Sequence, residues 1–130
     1  MAGTIVADTL QNGAGTSTSM TNAITGSAKV WVNFNGTSGA INGTAFNVSS
    51  VTRNGTGDYT VNFTTAMPNT NYVVTGACQY VNTGSLTNQN IVFGINDGSG
   101  NFTTTTTRVS TKASSTSYDC AIVMVGILSS

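Results

Sequence analysis

The feature that most constrains this chain is the stretch at residues 49–74, whose pattern predicts a hairpin, a corner and a returning strand. Within it, residues 58–64 alternate strictly between apolar and polar side chains, as a strand with one buried face does. Tyr59, Val61 and Phe63 are therefore expected to point into a core. An Asn-Gly pair just before them supplies residues that tolerate the positive φ of a tight hairpin turn. The stretch predicts a β-hairpin, a corner at the only proline of the chain, and a returning strand.

Other strand-like segments follow one another at short spacing along the chain, separated by turn residues. Those at residues 72–81 and 118–128 are apolar on both faces, which predicts a central place in a sandwich or burial by a partner. No segment has the 3.6-residue periodicity of an amphipathic helix. The chain is therefore predicted to be all-β, an antiparallel β-sandwich of jelly-roll-like form with about eight strands and an extended N-terminal arm. The predicted strands are residues 4–10, 28–34, 44–52, 58–64, 72–81, 90–95, 102–109 and 118–128.

The composition limits the classes of partner that the chain can bind. Thr, Asn, Gly and Ser make up more than half of the 130 residues, which favours strands and turns. Four acidic and four basic residues balance, so a strong positive field for nucleic acid is absent. No apolar run reaches the roughly 20 residues of a membrane-spanning helix, and the first residues have no secretory-signal pattern. We therefore expect neither nucleic-acid binding nor membrane insertion.

The N-terminal residues differ from the rest in being mostly polar. After the short strand at 4–10, residues 11–27 are rich in Gly, Thr and Ser, and they predict an extended arm or linker. A simply flexible terminus is the alternative. The chain is accordingly divided into an N-terminal strand and attachment arm, residues 1–27, and a β-sandwich domain, residues 28–130.

Two motifs in the first half of the chain carry a resemblance to a known family. One is K-x-W-V-x-F-x-G-T, from Lys29 to Thr37, and the other is G-x-Y-x-V-x-F, from Gly57 to Phe63. Residues 27–74 resemble tail-fibre and fibre-tip virion proteins of marine and other tailed bacteriophages. The resemblance implies a non-enzymatic virion component that is assembled in the host cytoplasm and, by the habit of that family, a homotrimer.

From this resemblance we expect a phage fibre or tip subunit that contributes to host-surface attachment. The N-terminal arm would then contact other virion proteins. A capsid decoration or head-fibre protein with a purely structural role is the alternative. A free carbohydrate-binding module is a third hypothesis, which the missing signal sequence disfavours.

Catalytic and metal-binding residue types are scarce. Because His and Glu are absent, a general base would have to be an Asp or a Lys. Asp58 and Asp97 lie in predicted turns, where Asp commonly bonds the backbone, and Asp8 and Asp119 have no carboxylate partner in the sequence. The only soft metal ligands are two cysteines. We expect no enzymatic activity, no cofactor and no metal site.

Those two cysteines, Cys78 and Cys120, fall in the two strands that are predicted to be most buried. They can form a cross-strand disulfide or remain reduced as small core residues. Assembly in a reducing cytosol favours the reduced thiols.

Two features of the sequence are candidates for recognition. Trp31 falls on the polar face of its strand, so it is either covered by another segment or subunit or forms a binding platform. The loop after residue 78 has the densest cluster of amide and aromatic side chains, which suits a host-surface glycan; a solvated loop without a ligand is the alternative. The residues of this loop cluster are Gln79, Tyr80, Asn82, Leu86, Asn88, Gln89 and Asn90.

Overall fold

The computed structural model describes residues 3, 6–80, 92–95 and 101–129, with the backbone alone for residues 92–95. Within these residues it contains ten strands and one short helix. The elements are β1 (Thr9–Gln11), β2 (Ser17–Ser19), α1 (Met20–Thr25), β3 (Ala28–Phe34), β4 (Val48–Gly55), β5 (Asp58–Phe63), β6 (Val73–Gln79), β7 (Val92–Ile95), β8 (Thr106–Ala113), β9 (Thr116–Ser117) and β10 (Ile122–Leu128). No helix among the described residues is long and apolar enough to cross a bilayer.

Two antiparallel sheets pack face to face. One has three strands in the order β3-β10-β6, and the other has five strands, with β4, β5, β8 and β7 side by side and β9 paired to β8. The predicted all-β antiparallel sandwich is confirmed. The core that fills the space between the sheets is made of alternate residues on facing strands, chiefly Val30, Val32, Phe34, Tyr59, Val61, Phe63, Val109, Val123, Val125 and Ile127.

The alternation at residues 58–64 gives the expected result. Tyr59, Val61 and Phe63 are buried in β5, and the rings of Tyr59 and Phe34 of β3 form a T-shaped contact with 5.1 Å between their centroids. β4 and β5 form the predicted hairpin. The Asn-Gly pair does not supply its positive φ, because Asn54 and Gly55 still belong to β4; Gly57 does, at a φ of 64°. The strand predicted at residues 28–34 is β3, with the same bounds.

The two strands predicted to be central differ in position. β10 lies in the middle of the three-stranded sheet, between β3 and β6, and its prediction is confirmed. Of the two alternatives for residues 72–81, the central place is wrong, because β6 pairs only with β10 among the described residues and lies at an edge of that sheet; burial by a partner stays a prediction. An edge strand leaves one row of backbone groups without a strand partner in its sheet.

The threonine run begins its strand later than the sequence predicts. A strand is predicted over 102–109, whereas β8 begins at Thr106. The Thr103 hydroxyl oxygen accepts hydrogen bonds from the backbone N–H groups of Thr105 and Thr106, at 3.1 and 2.8 Å. Such local side-chain contacts compete with strand pairing, and they account for the bend before β8.

The described part of the N-terminal arm is folded locally rather than continuously extended. β1 and β2 form a hairpin, and α1 follows directly. The hairpin turn is stabilised by Asn12, whose side-chain oxygen accepts hydrogen bonds from the backbone N–H groups of Ala14 and Thr16, both at 3.0 Å. Apolar side chains of the arm, Leu10 and Ile24, remain mostly exposed.

Candidate functional site

The outer face of the three-stranded sheet is apolar and open. Along β3 and β10, the residues that alternate with the buried ones point away from the core. Trp31 and Met124 are each 42% exposed, whereas their neighbours Val30, Val32 and Val123 are buried. A large exposed apolar patch of this kind is typical of an interaction surface.

Residues from four neighbouring segments contribute to this patch. Phe46 forms an antiparallel bridge with Trp31, with backbone N···O distances of 3.1 and 2.9 Å in the two directions. Directly opposite residues of antiparallel strands present their side chains on the same face. Val73 of β6 pairs with Leu128, which shares the outward face of β10 with Met124. We call the exposed side chains Phe46, Trp31, Met124 and Val73 the apolar outer face.

A shallow depression of about 500 Å³ lies in this surface. Trp31 and Met124 line it together with Thr75 and Ala77 of β6. Gly126 is paired with Trp31 and has no side chain, so no side chain from this position fills the depression beside the indole ring. The depression is therefore shaped mainly by apolar atoms and bounded by one aromatic ring.

A second, larger groove of about 630 Å³ lies where the chain rounds the corner after β5. Phe46, Ala66, Met67 and Pro68 give it apolar walls, and Lys29 stands at its rim. The Lys29 ammonium group donates hydrogen bonds to the Ile24 carbonyl of the arm and, at 2.9 Å, to the Ser27 hydroxyl. Because Phe46 lines this groove and also belongs to the apolar outer face, the two apolar surfaces are continuous.

The charged residues on the other side of the molecule have structural contacts. The Asp119 carboxylate accepts hydrogen bonds from Arg53 Nε at 3.2 Å, the Gly57 N–H at 2.9 Å and the Tyr59 hydroxyl at 3.0 Å. Partial burial alone would raise the pKa of Asp119, but these hydrogen bonds outweigh it and lower the pKa below 3.8. Burial raises the pKa of Tyr59 to about 12, so the phenol stays protonated and donates. This network fastens the β4–β5 turn to the segment that leads into β10.

A second ion pair joins neighbouring strands of the five-stranded sheet. The guanidinium group of Arg108 in β8 donates to both carboxylate oxygens of Asp58 in β5, with 2.8 Å from Nε to Oδ1. Hydrogen bonding to Asp58 raises the pKa of Arg108. Asp97 lies outside the described residues. No group of three His, Cys, Asp or Glu side chains in the described part of the chain could hold a metal ion.

Only part of the predicted loop cluster can be located. Gln79 is the exposed last residue of β6, and Tyr80 follows it half-buried. The Tyr80 ring meets the edge of Tyr118, with 5.5 Å between centroids, so it packs against the fold instead of standing free as a stacking platform. The other members lie outside the described residues: Asn82, Leu86, Asn88, Gln89 and Asn90.

The sequence pointed to only one residue of the apolar outer face, Trp31. Phe46 and Val73 belong to it because of a bridge and a strand register, which the sequence pattern does not reveal. Met124 had a detectable signal, since it lies in a strand that is apolar on both faces. Comparison of the chain with protein-family models, with curated proteins and with solved structures found no match.

Proposed function

We propose that the chain is a structural subunit of a bacteriophage particle, a fibre or tip protein that assembles as a homotrimer and contributes to host-surface attachment. The observation that carries the proposal is the apolar outer face. Phe46 and Val73 are 53% and 63% exposed in a single copy, and Trp31 and Met124 lie between them on the same sheet. Burial of this surface between copies would remove it from water.

The charge distribution favours a second copy of the chain as the occupant of this face. Of the described residues that point outward from the three-stranded sheet, only Lys29 is charged. The net charge of the whole chain is zero, so copies do not repel one another. The apolar outer face of one copy can therefore pack against a neighbouring copy with Lys29 as its one charged side chain among the described residues.

The phage assignment rests on the resemblance of the two sequence motifs, which lie at the following places in the fold. K-x-W-V-x-F-x-G-T spans β3 and the turn after it, and G-x-Y-x-V-x-F spans β5. The glycine of each motif is required by a close backbone approach. A Cβ atom on Gly36 would lie 2.4 Å from the Cys120 carbonyl oxygen, and one on Gly57 would lie 2.5 Å from that of Thr111. The motif glycines thus allow close backbone packing at two turns, Gly36 against the segment before β10 and Gly57 against β8.

Light scattering on the full chain tests self-association. We expect a particle mass of three times 13.2 kDa at micromolar concentration. Met124→Lys places a charge in the centre of the apolar outer face and is expected to weaken association at least tenfold, with the sandwich still folded. Thr52→Lys, on the outer face of the other sheet, is the matched control and keeps the trimer. A wild-type monomer at micromolar concentration contradicts the homotrimer.

Labelling of intact particles with an antibody against the chain tests its place in the virion. Signal at the tail supports the fibre or tip assignment. Signal at the head favours the alternative, a capsid decoration or head-fibre protein with a structural role. Binding of the assembled protein to host-surface glycans, lost on Gln79→Ala, would support attachment through the loop cluster.

A further inference from the structure

Cys78 and Cys120 lie together at one end of the core. Cys120, two residues before β10, is fully buried, and Cys78 of β6 is half-buried and packs against the same core. Both are present as thiols in this structure. Burial, and after it the contact with Cys78, raise the pKa of the Cys120 thiol to about 12.

The backbone segments that carry the two thiols are held side by side at two points. On one side, Cys78 and Gln79 pair with Val123 and Ile122 of β10. On the other side, the rings of Tyr80 and Tyr118 are in contact. Cys120 lies between these two points along its own segment.

The Cys120 segment is also fixed from a third direction. The Gly36 N–H donates a hydrogen bond of 2.9 Å to the Cys120 carbonyl oxygen. Asp119, the preceding residue, is bonded by Arg53, Gly57 and Tyr59. The Cys120 segment is therefore fixed on several sides, next to the end of β6 that carries Cys78.

We propose that Cys78 and Cys120 are a redox modification site and form an intramolecular disulfide when the protein meets a small disulfide oxidant such as oxidised glutathione. The Cys78 thiolate attacks one sulfur of oxidised glutathione, which forms a mixed disulfide and releases one reduced glutathione. The Cys120 thiolate then attacks the Cys78 sulfur and releases the second glutathione. The two thiol protons pass to the two glutathione thiolates, and the two electrons reduce the glutathione disulfide.

The order of the two steps follows from exposure. Cys78 is reachable from solvent, whereas Cys120 is not. Burial raises the pKa of Cys120 to about 12, so its thiolate is scarce at neutral pH and the closing step is slow. A reducing cytosol keeps both thiols reduced, and an oxidising medium drives closure.

The disulfide would join the end of β6 to the segment that leads into β10. It would close a covalent loop around β7, β8 and β9 and would restrain Gln79 and Tyr80 next to it. If the proposed virion function holds, the change would come when particles leave the reducing host cytoplasm. The bond itself depends only on the geometry of the thiols, so its test does not depend on the proposed function.

The test is oxidation of the full-length chain with oxidised glutathione, followed by mass spectrometry and thiol counting. We expect a monomer-internal product about 2 Da lighter than the reduced chain, no titratable thiol, and a Tm higher by roughly 10 °C that a reductant reverses. Cys120→Ala should instead accumulate one glutathione adduct on Cys78, and Cys78→Ser should react at least tenfold more slowly.

Two outcomes overturn the proposal, and the wild-type chain alone can give either. One is that both thiols persist, or both carry glutathione, after the oxidant has reached equilibrium. The other is a disulfide between two chains on a non-reducing gel. If a variant fails to fold, the mass and thiol count of the wild-type chain still decide the question.

Discussion

The outer faces of the two sheets differ in polarity. On the five-stranded sheet, the Asn62 side-chain nitrogen donates to the hydroxyl oxygens of Ser50 and Thr52, both at 3.1 Å, and neighbouring side chains continue this polar network. On the three-stranded sheet, Trp31 and Met124 stand exposed at the corresponding outward positions. One face hydrogen-bonds to itself and to water, while the other presents apolar surface.

This difference indicates which side of the sandwich faces solvent. A sheet face of hydroxyls and amides that bond one another gains little from a partner, because a partner would have to replace those contacts and the water around them. An apolar face gains from any partner that excludes water. The sandwich is thus two-sided, and the sidedness can be tested by substitution.

The largest expected effect separates the two faces of a single strand. Phe34→Ala removes a fully buried ring of β3 and should lower the free energy of unfolding by about 3–5 kcal/mol. Trp31→Ala, three residues earlier on the opposite face, should cost less than about 1 kcal/mol in the monomer. Urea unfolding at low protein concentration measures both. If the two substitutions cost the same, the apolar outer face belongs to the fold and not to an interface.

A smaller effect is expected at the polar contact that links the two sheets. Asp119→Asn keeps the shape of the side chain but removes the charge that Arg53 and Tyr59 contact, so we expect a loss of about 1–2 kcal/mol at pH 7. The folded-state pKa of Asp119 lies below the unfolded value, so its contribution is present above about pH 4 and disappears as the pH falls through the folded-state pKa.

Thermal unfolding of wild type and Asp119→Asn between pH 7 and pH 2 tests this contribution. The stability curves should differ at neutral pH and converge in acid. Asp8→Asn, at an exposed position of the arm, is the control and should follow the wild-type curve throughout. Parallel curves for wild type and Asp119→Asn would show that the carboxylate charge does not stabilise the fold.

Strands with one buried face could be predicted from the sequence, because alternation is a local property. β3 has the bounds and buried residues that its pattern indicates, and β5 has the buried residues but ends one residue earlier, at Phe63. The edge position of β6 could not be predicted, since a strand that is apolar on both faces has the same pattern whether a sheet or another molecule covers it. Residue-level alternation fixes which way a side chain points and says nothing about which strand lies beside it.

The candidate site was only partly predictable for the same reason. Trp31 was detectable as an apolar residue on a polar face, but Phe46 reaches the same surface through a bridge that spans a loop. The contact of Asp119 with Arg53 joins residues far apart in the chain, and neither residue lies in a motif that indicates the other. Long-range pairing of this kind requires the fold itself.

The smallest expected effect tests whether the polar side chains on the outer face of the five-stranded sheet stabilise the fold by hydrogen-bonding one another. Asn62→Ala removes the donor that bonds Ser50 and Thr52, and we expect a loss of about 0.5–1 kcal/mol with no change in association. Thr75→Ala, at an exposed position on the three-stranded sheet, is the matched control and should leave monomer stability within about 0.5 kcal/mol of wild type. Chemical unfolding and light scattering on the same samples separate the two readouts. If Asn62→Ala instead raised the number of copies in the particle, the side-chain network would be what prevents association through the five-stranded sheet. The two outer faces would then differ in this network as well as in apolar content.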